Sequence, residues 1–319
     1  MAALTSTSLS EVNMRKMFII SILFISFACS RQSSSFDGEK AFIYLRKQCD
    51  IGYRNPGSPG HQEALNYYRD FFSGLADTLI LQTFIQEIPD DNVSFTFTNV
   101  IAGFNTGEEN PLLIGAHWDT RPRADHDPDP KKRPSPILGA NDGASGSAVL
   151  MHLGELLQKN QPDRAIYLVL FDGEDYGYSG SLKYYCMGSE YFAKNLPIPK
   201  PSEAIVIDMI GDKELNIPIE RQSYSSHPEL VKTLWALAKK RGYSEFQHKF
   251  GSYIHDDHVM LIEHAGIPSV DLIDFEYPNR YQNFWHTSMD TPDKCSPKSL
   301  EVVGQVLYDY IYLNESIAK

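Results

Sequence analysis

The 319-residue sequence predicts a three-layer α/β/α sandwich with a mixed, largely parallel central sheet. Three observations predict it. Apolar runs of strand length, rich in β-branched residues, recur at 112–117, 166–171 and 204–208. Segments of helical length alternate with them, which is the order that builds parallel strands joined by crossover helices. Each of the three runs also stops at a histidine or a carboxylate, the pattern expected at the carboxyl edge of an open α/β sheet, where loops carry chemistry.

At the amino terminus, Arg15 and Lys16 precede an apolar stretch over 17–28. It is too short to span a bilayer comfortably and suits the hydrophobic region of a signal peptide. It ends at Phe27-Ala28-Cys29-Ser30, where a small residue followed by cysteine matches a lipoprotein signal, although Ser26 replaces the usual leucine. Residues 1–29 are therefore expected to be an export signal, with lipidation at Cys29 or plain cleavage as alternatives and Met14 as a candidate start. The expected location is the periplasm, or the membrane of a bacterium through a lipid anchor alone. A short linker at 30–35 leads into one catalytic domain at 36–319, with no repeat or composition shift to divide it.

Helices are expected at about 38–49 and, after the turn Asn55-Pro56-Gly57-Ser58-Pro59-Gly60, at 60–75. Further helices are expected at 145–158, at 227–241 closed by Gly242, and from Ser296-Pro297 to about 314, since proline favours a helix start and glycine its end. Strands fall near 80–87, 94–103, 112–117, 166–171, 204–208 and 268–273. Two segments lack either period. Residues 121–138, with DHDPDPKKRPSP, can be neither helix nor central strand and read as a long loop, either a solvated excursion or a rim over the site. Residues 274–284, DFEYPNRYQNF, bring aromatic side chains among polar ones towards His286 and suit a substrate wall.

The net charge of −12 excludes nucleic acid as an expected partner, because no basic stripe is present to neutralise phosphates. Beyond Cys29, only Cys49, Cys186 and Cys295 remain, at spacings that suggest no metal binding by sulfur and define no disulfide pairing. They read as packing residues.

The strand ends carry the chemistry. LLIGAHWD supplies His117, FDGEDY supplies Asp175, AIVIDMIG supplies Asp208, the turn LGANDGASGS supplies Asp142, and the late turn NFWHTSMD supplies His286. One aspartate in such a turn is ordinarily a helix cap. Five nitrogen and oxygen donors on successive strand ends form a set suited to zinc. In FDGEDY, adjacent acids beyond a strand end can diverge, so Asp175 is assigned to metal and Glu174 to general acid/base work, its pKa tuned by burial.

Taken together, AHWDTRP (116–122), GANDGASG (139–146), FDGEDYG (171–177), IDMIGD (207–212), HDDH (255–258) and FWHTSMD (284–290) resemble zinc-dependent glutaminyl cyclases, in particular bacterial members of the animal type. These share the fold of the dinuclear zinc aminopeptidases. The resemblance covers the chain after its leader. It implies conversion of N-terminal glutaminyl residues of peptides and proteins to pyroglutamyl residues, with release of ammonia. It implies one Zn2+ per chain on Asp142, Asp175 and His286, Glu174 as acid/base, and Asp208 as the carboxylate orienting the substrate and the migrating proton. It further implies that Asp256, or its neighbour Asp257, is a hydrogen-bonding acid beside the site and that Trp285 lines the pocket. Asp175 stands where animal cyclases have glutamate and Asp271 where they have histidine, which leaves the partner of Asp256 open.

Two other readings stand beside it. In a dinuclear zinc aminopeptidase, His117 and Asp208 hold a second zinc bridged by Asp142. A non-catalytic peptide-binding protein on the same scaffold is the other, against which the intact ligand set and Glu174 count. Hydrolysis needs a metal-activated water, whereas cyclisation contains its own nucleophile, the substrate α-amine.

Overall fold

The computed structural model describes residues 35–313; the expected export signal, Cys29 and most of the linker lie outside the described residues. The central sheet has six strands in the order β1-β2-β4-β3-β5-β8. These are β1 (Thr78–Ile88), β2 (Val93–Phe104), β3 (Leu112–His117), β4 (Ile166–Phe171), β5 (Glu203–Asp208) and β8 (Ser269–Ile273). The pairs β1/β2 and β2/β4 are antiparallel, whereas β4/β3, β3/β5 and β5/β8 are parallel. The mixed, largely parallel sheet is therefore present, and all six strands lie where the sequence places them.

Period-two alternation builds the layers. On β4, Ile166, Leu168 and Leu170 enter the larger core, while Tyr167, Val169 and Phe171 enter the opposite one. Helices α1 (Gly38–Ile51), α2 (Pro59–Ser73), α3 (Ala144–Lys159), α6 (Pro228–Arg241) and α8 (Pro297–Ile311) cover the first face. On the second face, α4 (Met187–Lys194) and α7 (Asp257–Ala265) contribute Phe192 and Leu261. Short elements went unexpected: α4, α7, α5 (Arg221–Ser226) and the two-stranded ribbon of β6 (Ile217–Ile219) and β7 (Phe246–Phe250). The three helices are only 8, 9 and 6 residues long, too short to establish a helical period.

Because β3, β4, β5 and β8 run in one direction, His117, Asp172, Asp208 and Asp274 emerge at the same edge. Helix α3 begins there and lies close on the sheet. A Cβ on Gly146 would come within 2.6 Å of the Ile207 carbonyl oxygen and 2.8 Å of the Ala116 Cβ. The preceding turn reverses at Gly143, whose φ of +98° suits glycine, and this places Asp142 beside His117. No helix among the described residues is long and apolar enough to cross a membrane. Cys49, Cys186 and Cys295 are all buried free thiols, in keeping with a packing role.

Candidate active site

Two triads of metal-type ligands share one carboxylate. Asp142, Asp175 and His286 form the first, and His117, Asp142 and Asp208 the second; within each, the donor atoms lie within 4.8 Å of one another. His286 Nε2 is 3.1 Å from Asp175 Oδ1 and 3.6 Å from Asp142 Oδ2. His117 Nε2 is 3.1 Å from both Asp142 Oδ1 and Asp208 Oδ1. All of these side chains are buried.

The first triad fits zinc. Asp142 Oδ2 and Asp175 Oδ2 are buried without a hydrogen-bond partner, so two carboxylate oxygens are left for a cation between them. Burial, followed by the charge of Asp175, pushes Asp142 well above the usual carboxylate range, and a bound cation would relieve both acids. Asp175 itself is driven up by burial, but His286 and Arg121 outweigh this and hold it at about 2.

The shell around the triad is built from residues that sequence reasoning did not assign. Arg121 is fully buried and donates from Nη1 to Asp175 Oδ1 at 2.7 Å, while its Nε and Nη2 donate to the two oxygens of Asp125, each at 2.7 Å. Asp125 Oδ1 in turn lies 3.9 Å from His286 Nδ1. Asp119 accepts the backbone N–H groups of Glu174 and Asp175, at 3.0 and 3.3 Å, and so holds the turn that presents both acids. Asp290 does the same for the Asp142 turn, accepting from the N–H groups of Asn141 and Asp142 at 2.8 and 3.1 Å, and is itself steadied by the Tyr277 hydroxyl at 2.9 Å. The available signal was position: Asp119, Arg121 and Asp290 all sit within four residues of a predicted ligand.

The triad opens into a cavity of about 400 Å³ lined by Glu174, Asp208, Asp256, Trp285 and all three members of the triad, Asp142, Asp175 and His286. Every predicted site residue is therefore brought to one place. Glu174 is half-buried, and burial pushes its carboxyl well above the usual range, reinforced by Asp175, Asp256 and Asp257 against the opposing pull of His117. Asp256 caps α7, accepting from the Asp257 N–H at 2.6 Å, and faces the cavity. Asp257 points away and accepts the Ser189 hydroxyl at 2.5 Å. Asp271 lies with Asp256 and His258 behind the wall, and burial together with Asp256 pushes its carboxyl well up. Trp285 stacks on His286 with ring centroids 3.7 Å apart. The long loop at 121–138 reaches the rim, where His126 meets Trp285 at 4.7 Å and its N–H donates to the His286 carbonyl at 3.1 Å.

The family model described as peptidase family M28 matches residues 99–311, from the end of β2 to the end of α8. The chain belongs to peptidase family M28. All five candidate donors, His117, Asp142, Asp175, Asp208 and His286, lie within that match. Glutaminyl-peptide cyclotransferase of Bos taurus is 23% identical over 300 residues, which cover 81% of this chain and 77% of the bovine protein. Among solved structures, glutaminyl cyclase of Bacteroides thetaiotaomicron bound to N-acetylhistamine aligns with a TM-score of 0.82 at 32% identity, covering 88% of this chain and 98% of that one. A leucine aminopeptidase precursor of the same species aligns with a TM-score of 0.82 at 33% identity, again over 88% and 98%. The M28 scaffold thus accounts for the fold and for the zinc-type ligand set.

Proposed function

We propose that this chain cyclises N-terminal glutaminyl residues of peptides and proteins to pyroglutamyl residues, releasing ammonia, with one zinc ion on Asp142, Asp175 and His286. The observation that carries the reading is similarity to glutaminyl cyclases over nearly the whole described domain. The site is equipped for that reaction. Zinc bound by the triad supplies a Lewis acid for the γ-amide carbonyl.

The chain's own residues do the rest. Trp285 and the rim loop narrow the cavity over the ligands and limit access of water. Asp208 and Asp256, on the same cavity wall, accept hydrogen bonds from the substrate α-amine and orient it towards the γ-carbon. A bond forms between the α-nitrogen and the γ-amide carbon, and the bond from that carbon to the side-chain nitrogen breaks. Glu174 takes the proton from the attacking amine and returns it to the departing nitrogen, which leaves as ammonia. Burial raises its carboxyl, so that it takes up a proton more readily than an exposed glutamate. Because nucleophile and electrophile belong to one residue, holding the reactive rotamer supplies much of the rate gain.

One observation favours the dinuclear aminopeptidase as a second reading: His117, Asp142 and Asp208 form a complete further triad. Elemental analysis combined with His117→Ala separates the two. On the cyclase reading, the purified protein carries about one zinc per chain, releases ammonia from a Gln-peptide and leaves leucyl amides intact, and His117→Ala keeps that zinc. His286→Ala loses both zinc and turnover. Two tightly bound zincs with rapid leucyl-amide hydrolysis establish the aminopeptidase instead. The apolar run at 17–28 and its basic flank support export, so exported chains that begin with glutamine are the substrates we assign.

A further inference from the structure

A second cavity, of about 370 Å³, lies beside the first. The two share Ser252, Ile254, Ile273 and Phe275 as a common wall. Beyond that wall, the second cavity is floored by Pro218 on β6 and Phe250 at the end of β7, with Lys249 and Glu276 at its edge. Its size lies in the range of ligand pockets.

An aromatic series leads into it from the zinc ligands. His286 stacks on Trp285, and Trp285 meets Phe275 at 4.8 Å, so the ring that forms the shared wall is two contacts from the metal triad. Phe275 is 42% and Phe250 49% exposed, unusual for large apolar side chains beside a cavity with nothing packed over it. Phe250 is nevertheless held in place. The Tyr224 ring meets it edge-on at 5.0 Å, and the Arg221 guanidinium lies 5.4 Å from its centroid. A rigid, exposed ring beside a cavity is a preformed apolar contact. The acids of this cavity are already engaged: Glu220 accepts the N–H groups of Gln222, Ser223 and Ile254, and Asp274 those of Asn216 and Glu276. Glu220 and Asp274 are thus taken up within the protein, Lys249 and Glu276 place charge at the edge, and the floor between them, at Pro218, Phe250 and Phe275, is apolar.

We infer that this cavity is a downstream subsite that receives an apolar or aromatic side chain from the residues following the N-terminal glutamine of a peptide. The inference rests on the cyclase reading. Cyclisation consumes only the first residue, so the rest of the chain extends away from the reacting carbons, and the second cavity lies beside the first with its own contact surface. Specificity then lies beyond the glutamine, at Phe250 and Phe275, outside the acid/base and metal machinery.

Host peptides Gln-Xaa-Xaa-Xaa-amide with one phenylalanine or serine guest, scanned over positions two to four, test this beside glutaminamide. At one position or more, phenylalanine is expected to raise kcat/KM about tenfold over serine, the worth of burying part of one aromatic ring. In Phe250→Ser this preference collapses to within about twofold, Phe250→Trp restores it, and glutaminamide turnover stays at the wild-type rate in both. A wild-type enzyme indifferent to the guest, or a preference unchanged in Phe250→Ser, overturns the subsite while leaving the cyclase standing. No ammonia from glutaminamide overturns the cyclase reading and the subsite with it.

Discussion

Arg121 Nη1 lies 2.7 Å from Asp175 Oδ1, joining a fully buried guanidinium to a carboxylate of the zinc-type triad. The bond uses one oxygen of Asp175 and leaves Oδ2 without a partner. Through Asp125 the same guanidinium also reaches towards His286 Nδ1. A single buried cation therefore braces Asp175 directly and holds Asp125 on the Nδ1 side of His286, the outer-shell position from which ligand direction is set in metal sites. Arg121→Met keeps the volume of the side chain's stem and removes the fork. Zinc affinity, measured by competition with a chromophoric chelator, is expected to fall about 10–100-fold. Wild-type affinity in that variant would show that Asp175 needs no such support.

Glu174 offers a separable test, because its role is proton transfer and not ligation. Glu174→Gln preserves size and most hydrogen bonding, so zinc content should stay at the wild-type level while kcat on a Gln-peptide falls about 10²-fold or more. Turnover within a few-fold of wild type, with zinc bound, removes Glu174 from the proton path.

Glu220 links the fold to pH. Burial raises its carboxyl, but the His258 imidazole 3.4 Å away and hydrogen bonds from the backbone of Gln222 and Ser223 outweigh this and hold it at about 2. A carboxylate depressed on folding contributes stability that is present above its unfolded pKa of about 4.3 and is lost as pH falls towards 2. The urea midpoint of zinc-free wild type should therefore exceed that of Glu220→Gln at pH 6, with the gap narrowing between pH 4.5 and 2.5. A constant gap across that range would mean that the charge of Glu220 does not stabilise the fold.

Gly143 is predicted to tolerate no side chain. Its φ is +98°, and an added Cβ would lie 2.6 Å from the Asp119 carbonyl oxygen and 3.1 Å from His117 Cε1. Gly143→Ala combines backbone strain with a clash against backbone and is expected to lower stability by about 2 kcal/mol or more, read from the denaturant midpoint. A change under about 0.5 kcal/mol would show that the turn can move without cost.

Much of the frame was legible in the chain because it is written locally. The unbroken apolar and β-branched content of 112–117, 166–171 and 204–208 reports burial on both faces of a sheet, and each run ends at or within four residues of a candidate donor without reference to any distant residue. Pro297 and Gly242 likewise mark a helix start and a helix end through their own dihedral preferences. Shorter elements escaped because six to nine residues give no more than about two and a half turns of helical period, and α7 was visible only as the polar string HDDH.

What the sequence by itself determined is the set of donor types and the strand ends that carry them, since both depend on residue identity and on local backbone geometry. Tertiary structure alone decided how those donors face one another. Adjacent aspartates 256 and 257 have the same chemistry, yet as N-cap and first helical residue they diverge, one towards the cavity and the other towards Ser189 on α4. Asp119 and the GED turn are 55 residues apart, and Asp290 and Asp142 are 148 apart. Contacts at such separation depend on how closely helices lie on the sheet, which Gly146 permits by lacking a Cβ. Packing at that scale has no local period, so the candidate donors could be read from the chain, whereas the network that aims them came only from the folded molecule.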